Sequence, residues 1–209
     1  MVTYAGLPAP VISEHLTREA SRAHYTGGTE FSIGRIEMVG NTGTYVDSPF
    51  HRYSEGADFA GLPLESLADL EGIVVRPAAR AIGPEAFDGV DVRGKAVLIH
   101  TGWDRHWRTE RYWSGEHPFL TRDGAGRLAA SGAHFVGIDS YNIDDTNDGS
   151  RPAHSVLLAA GIPICEHLCN LDALPESGFR FFAVPPKIRH FGSFPVRAFA
   201  VTNLNDYSG

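Results

Sequence analysis

The stretch Arg122-Asp-Gly-Ala-Gly-Arg-Leu-Ala-Ala-Ser-Gly-Ala-His-Phe-Val-Gly-Ile-Asp139 decides the fold class. Arg122 to Ser131 has helical character and stops at Gly132, and His134-Phe-Val-Gly-Ile-Asp139 then reads as a buried strand. Upstream, Gly72-Ile-Val-Val-Arg76 and Ala96-Val-Leu-Ile-His100 are short β-branched apolar runs bounded by Gly, Pro or Asp, the second ending at His100-Thr-Gly-Trp103. Strand, helix and strand in that order predict a crossover between neighbouring parallel strands. Working outward, Phe31 to Val39 is extended and ends in the turn-like Gly40 to Thr44 stretch, so a strand is expected to deliver the loop that follows. Ser155 to Ala160 predicts a short helix stopped by Gly161, and Ile162-Pro-Ile-Cys165, Phe179 to Val184 and Val196 to Thr202 predict strands. Many strands and few helices indicate an α/β domain.

The 23 glycines and 13 prolines are scattered, with no linker, low-complexity tract or repeat, so residues 1–209 are treated as one domain. A chain that is 43% hydrophobic and 21% charged is too apolar for disorder, and at 209 residues it buries roughly 70% of its unfolded surface without needing a structural metal. The net charge of −7 and the lack of a Lys/Arg block argue against nucleic acid or an anionic membrane as partner. Met1 to Thr17 has no basic start or unbroken apolar core, so it is not a signal peptide, and no apolar run reaches the roughly 18 residues of a membrane helix. A cytoplasmic setting is the expectation. Cys165 and Cys169 are read as small buried hydrophobes rather than a disulfide framework. Ten histidines stand out, because imidazole binds metals and moves protons near neutral pH.

Chemistry concentrates in Asn41-Thr-Gly-Thr-Tyr-Val-Asp-Ser-Pro-Phe-His51. Pro49 interrupts any helix between Asp47 and His51, and the bend lets a carboxylate and an imidazole converge. Further on, His154 lies at the start of a helix and Glu166 at the end of a strand, a pair that can face one pocket. Together with a carboxylate from elsewhere they make either a mixed nitrogen and oxygen ligand set for a divalent ion or an acid/base pair.

Five ordered segments carry a family resemblance: Asn41 to His51, Leu98-Ile-His-Thr-Gly-Trp103, Val136-Gly-Ile-Asp-Ser140, His154-x-x-Leu-Leu158 and Glu166-x-Leu-x-Asn-Leu171. With them the chain resembles the cyclase family that includes bacterial kynurenine formamidase and isatin hydrolase. The first segment is similar to that family's H-x-G-T-H-x-D-x-P-x-H. The resemblance implies a swivelling β/β/α-type α/β domain with a mixed sheet, assembled as a homodimer or larger homo-oligomer. It also implies hydrolysis of small amides, or ring opening and closure, with zinc or manganese. Carried over residue by residue, Asp47 is a metal-ligand position, His51 the catalytic histidine, and His154 and Glu166 the remaining ligands or acid/base groups. The two loop histidines of the family motif are Asn41 and Tyr45 here, weak ligands for zinc unless the phenol loses its proton.

Two chemical readings stay open. In one, a single ion on Asp47, His154 and Glu166 assists hydrolysis of an aryl amide or strained lactam while His51 moves the proton. In the other, no metal binds and the same groups catalyse a ring closure, dehydration or isomerisation, as in secondary metabolism, with Tyr45 donating to a developing oxyanion. A third reading, from another class, is a non-catalytic scaffold that binds a small molecule. Asn41, Trp103 and Tyr141 are candidate substrate contacts, with Asn142 beside them. His100, His106, His117, His134, His167 and His190 are expected to cap or pack.

Overall fold

A computed structural model describes residues 6–202; the first five residues of the Met1 to Thr17 segment and the end of the chain lie outside the described residues. In chain order the strands are β1 (Val11–Leu16), β2 (Ile33–Glu37), β3 (Tyr45–Asp47), β4 (Leu70–Val75), β5 (Ala81–Ile82), β6 (Ala96–Ile99), β7 (Phe119–Leu120), β8 (Phe135–Ile138), β9 (Ile164–Glu166), β10 (Phe179–Phe182), β11 (Ser193–Pro195) and β12 (Phe199–Thr202). The α-helices are α1 (Arg18–Ser21), α2 (Arg122–Ala130) and α3 (Pro152–Ala159).

Eight strands form one mixed sheet in the order β11-β3-β9-β8-β6-β4-β10-β12. Its centre, β9-β8-β6-β4, is parallel, and antiparallel pairings extend it at both sides. The chain runs β6, α2, β8 with β6 and β8 adjacent and parallel, which is the crossover that the opening stretch predicts. Thr121 starts α2 by accepting from the Gly124 amide at 3.1 Å, and Gly132 at φ +81° follows its end.

Parallel strands must be apolar on both faces, and the alternation is visible residue by residue. Val97, Ile99, Val136, Ile138 and Ile164 face one core together with Leu128 of α2 and Leu157 of α3. Their neighbours Ala96, Leu98, Phe135 and Cys165 face the second core with Phe179 and Phe181 of β10. Gly72 is fixed by that second core, because a Cβ there would run into the Phe179 ring paired across from it.

Several boundaries differ from the sequence expectation. The segment expected to deliver the Asn41 to His51 loop forms β2, which pairs only with β1 in a separate hairpin, while the loop itself supplies β3 inside the main sheet. α3 begins at Pro152, not Ser155, since Pro fits the first helical turn, and this places His154 inside the helix. The strand expected at Ile162 to Cys165 is shifted to Ile164–Glu166, so Glu166 is itself a strand residue. The Val196 to Thr202 strand begins only at Phe199, and Ser193–Pro195 crosses to the opposite edge of the sheet. Cys165 is buried as expected, whereas Cys169 is exposed, and both are free. Among the described residues no helix is long and apolar enough to cross a membrane.

Candidate active site

Sheet register builds one wall of the site. Tyr45 pairs with Glu166 across β3 and β9, and Ser193 pairs with Asp47 across β11 and β3. Because side chains alternate and cross-strand partners share a face, Tyr45, Asp47, Glu166 and Ser193 all stand on the α3 side of the sheet, with Val46 and Cys165 on the other. All four are buried, and polar groups in such a place need partners. The Tyr45 hydroxyl donates to Glu166 Oε2, and the Ile143 amide donates to Glu166 Oε1 at 2.7 Å. The Ser193 hydroxyl donates to Asp47 Oδ1 and lies 2.7 Å from His51 Nδ1. Asp47 Oδ2 is buried and has no hydrogen-bond partner.

The first turn of α3 builds the facing wall. Asp144, itself buried, accepts from the Ala153 amide at 2.5 Å and the His154 amide at 3.2 Å, so a remote carboxylate caps the helix. The same carboxylate accepts a hydrogen bond from His154 Nδ1–H at 2.6 Å, which leaves Nε2 pointing at the sheet. There Nε2 stands 3.5 Å from Asp47 Oδ2 and 3.6 Å from Glu166 Oε1. Burial alone lowers the pKa of His154, but Glu166, Asp144 and Asp47 outweigh it and raise the value to about 10. Burial, opposed by His154 and reinforced by Asp47, raises Glu166 to about 7.

Between the walls lies a cleft of about 280 Å³, lined by Leu7, Asn41, Tyr45, His51, Arg52, Asn142, Arg151, His154 and Glu166. A family model described as "Putative cyclase" matches residues 7–145, more than half of the chain. The chain belongs to the cyclase family. It is 29% identical over 168 residues to a kynurenine formamidase of Geobacillus thermodenitrificans (strain NG80-2), covering 80% of this chain and 78% of that protein. A solved structure described as a potential metal-dependent hydrolase with cyclase activity is similar at 25% identity and TM-score 0.73, covering 95% of this chain and 92% of that one. The isatin hydrolase A of Labrenzia aggregata, solved with benzyl benzoate, has the same fold at TM-score 0.78 and 21% identity, over 94% of this chain and 84% of that one.

In this cyclase-family chain His51, His154 and Glu166 line one cleft with Asn41 and Tyr45, and the buried Asp47 lies against His51 and His154 beneath it. Trp103 and Tyr141 do not line it. The Trp103 indole donates to the Tyr112 carbonyl at 3.0 Å, the Tyr141 hydroxyl sits 3.1 Å from Thr146 Oγ1, and both belong to a buried aromatic cluster with Tyr112. Asn142 does line the cleft. His117 and His167 are buried, and burial lowers them to about 4 and about 3; they pack on Tyr141 and Tyr112. Ser193, Asp144, Arg52 and Arg151 are site residues that the sequence reading did not single out. Asp144 carries one legible signal, a carboxylate shortly before a Pro-initiated helix.

Ligand atoms of Asp47, His51 and His154 all lie within 4.8 Å of one another, and Glu166 Oε1 is 3.6 Å from His154 Nε2, so the cluster offers donors for one divalent ion. Ligand atoms held at roughly 2.0–2.2 Å in a tetrahedral site lie roughly 3.4 Å apart. The spacings of 3.5 and 3.6 Å from His154 Nε2 to two carboxylate oxygens match that and are too long for good hydrogen bonds. Asp47 Oδ2 is an orphan acceptor, and the bond from His154 to Asp144 is the outer support usual for a ligating imidazole. The groups do not fit a second ion held as in the family motif, since Tyr45 is a hydrogen-bond donor to Glu166. A further set, His100, Asp104 and Asp139, is committed elsewhere: Asp139 accepts from the Thr101 and Gly102 amides and Asp104 from the Asn170 amide.

Proposed function

We propose that this cyclase-family protein is an enzyme that hydrolyses an aryl amide or lactam with the help of one zinc or manganese ion held by Asp47, His154 and Glu166. The observation that carries the reading is the orphan Asp47 oxygen set opposite His154 Nε2. When bound, the ion polarises the scissile carbonyl and acidifies water. His51 does the proton transfer. Ser193 has one proton and gives it to Asp47, so Ser193 must accept from His51 Nδ1–H, and that leaves Nε2 of a neutral imidazole free to take a proton. The His51 side chain is 37% exposed, within reach of substrate in the cleft. Tyr45 and the Ile143 amide hold both Glu166 oxygens, so the carboxylate keeps one orientation. The names of the relatives, kynurenine formamidase and isatin hydrolase, support an amide of an aromatic compound.

The reading predicts about one zinc or manganese per chain, formanilide hydrolysis that stops on chelation and returns with metal, and loss of turnover in His51→Ala. Less than a tenth of an equivalent of metal, with activity indifferent to chelator, would falsify it. The rise in His154 pKa favours a second reading, a metal-independent ring closure, dehydration or isomerisation, because three carboxylates supply an acid without an ion. That reading predicts chelator-resistant turnover that Glu166→Gln abolishes. A non-catalytic scaffold predicts no turnover under either condition.

A further inference from the structure

The chain carries a net charge of −7, yet two arginines line the cleft. Each is tied to one of the site histidines. Arg52 directly follows His51 at the end of the Pro49–His51 turn, and Arg151 precedes Pro152, three residues before His154. Arg151 has the left-handed backbone φ +48°, ψ +60°, which disfavours a side chain and persists only where its surroundings impose it. Its Nη1 donates to Asn142 Oδ1 at 3.0 Å, and that oxygen also accepts the Asp144 amide at 2.9 Å. The guanidinium is therefore coupled to the loop that caps α3 and orients His154. Arg52 Nε approaches Ser155 Oγ at 3.4 Å, with its guanidinium over the Tyr53 ring. Among the described residues no carboxylate lies within ion-pair distance of either arginine, whereas Arg22, Arg80 and Arg180 each have one.

Resting on the amide-hydrolase reading, we propose that Arg52 and Arg151 form a subsite for a carboxylate on the substrate, so that the enzyme prefers aryl amides bearing a carboxylate to neutral ones. A guanidinium offers a planar fork of donors that matches a carboxylate. The cleft is small, Glu166 already lines its floor, and the buried Asp47 carboxylate lies 3.5 Å from His154 Nε2 beneath it. That floor favours a planar monoanion over a phosphate dianion, which it would repel more strongly. Positive charge in the lining also attracts such a substrate at low ionic strength.

Binding and turnover test separate statements. By calorimetry, benzoate should bind wild-type protein about tenfold more tightly than benzamide; Arg52→Gln or Arg151→Gln should erase most of that difference. In kinetics, each variant should cut the preference for 2-formamidobenzoate over formanilide, read as the ratio of their kcat/KM values, about tenfold. Arg151→Lys should recover only part, since an ammonium lacks the fork. Equal binding of benzoate and benzamide, a benzoate preference that survives both variants, or tighter binding of inorganic phosphate than of benzoate would each overturn the subsite. If the arginine-dependent preference for benzoate holds and neither formamide is hydrolysed, the subsite stands and the hydrolase reading falls. If both formamides are hydrolysed with equal kcat/KM and benzoate shows no preference, the reverse is true.

Discussion

Ser193 has one proton and two neighbours that want different things from it, and the carboxylate of Asp47 decides which receives it. The tautomer of His51 follows, so Ser193→Ala should lower kcat about 10- to 100-fold with little change in KM and shift the acidic limb of the pH–rate profile. A Ser193→Thr variant, keeping the hydroxyl, should recover much of the loss; an unchanged profile in the alanine variant would refute the positioning role. Asp144 acts likewise on His154, and Asp144→Asn should weaken metal affinity about 10- to 100-fold in competition with a chromophoric chelator. The candidate site residues Asp47, His51, His154 and Glu166 were legible because they fall in short motifs. Their supporters were not: Ser193 meets Asp47 across 146 positions, and no local pattern encodes that meeting.

Elements set those meetings through register. Two turns of sheet pairing, β11 to β3 and β3 to β9, bring Ser193, Asp47 and Tyr45 to the same face as Glu166. Gly192 lets the β11 strand come close, since a Cβ there would lie 2.5 Å from the His51 nitrogen. On the far side, Gly72→Ala should destabilise the fold by about 1–3 kcal/mol in urea unfolding through collision with Phe179, and Phe179→Leu should relieve part of the cost. Additive losses in the double variant would contradict that explanation. The central strands β4, β6 and β8 and helix α2 were readable because buried parallel strands are apolar throughout and the helix ends at a glycine. β3 and β11 have three residues each, too short for periodicity to mark them, and strands drawn together from distant parts of the chain carry no sequence record of their partners.

Across the whole molecule, titration should shape stability from both sides. Burial lowers His117 to about 4 and His167 to about 3, while an unfolded histidine titrates near 6.5. Their contribution is therefore complete above about pH 6.5 and is lost as pH falls toward those values, at up to about 1.4 kcal/mol per pH unit for each histidine. His154, raised to about 10, works in the opposite sense in the metal-free chain: its contribution is complete below about pH 6.5 and is lost as pH rises toward 10. Denaturant unfolding from pH 4 to 8 should show the acid slope reduced in His117→Asn; an identical slope would rule out its part. The β1–β2 hairpin exposes Val11, Ile12 and Ile36, with Ile12 at 77%, an unusual load of apolar surface for a free arm. We propose that it contacts a second copy of the chain, in keeping with a homodimer. Light scattering should give twice the chain mass, with Ile12→Asp shifting it toward 22.7 kDa.

The sequence by itself determined the α/β class, the crossover and the four groups Asp47, His51, His154 and Glu166, because strand and helix periodicities are local and the motifs are contiguous. Only the tertiary structure decided how those groups serve one another. It placed Asp47 Oδ2 opposite His154, gave Tyr45 to Glu166, held His51 through Ser193, sent Trp103 and Tyr141 into a separate aromatic core, and set two arginines in the lining of the cleft. The physical reason is that orientation and protonation depend on cross-strand register and on burial shared among distant segments, and neither quantity belongs to any one stretch of chain.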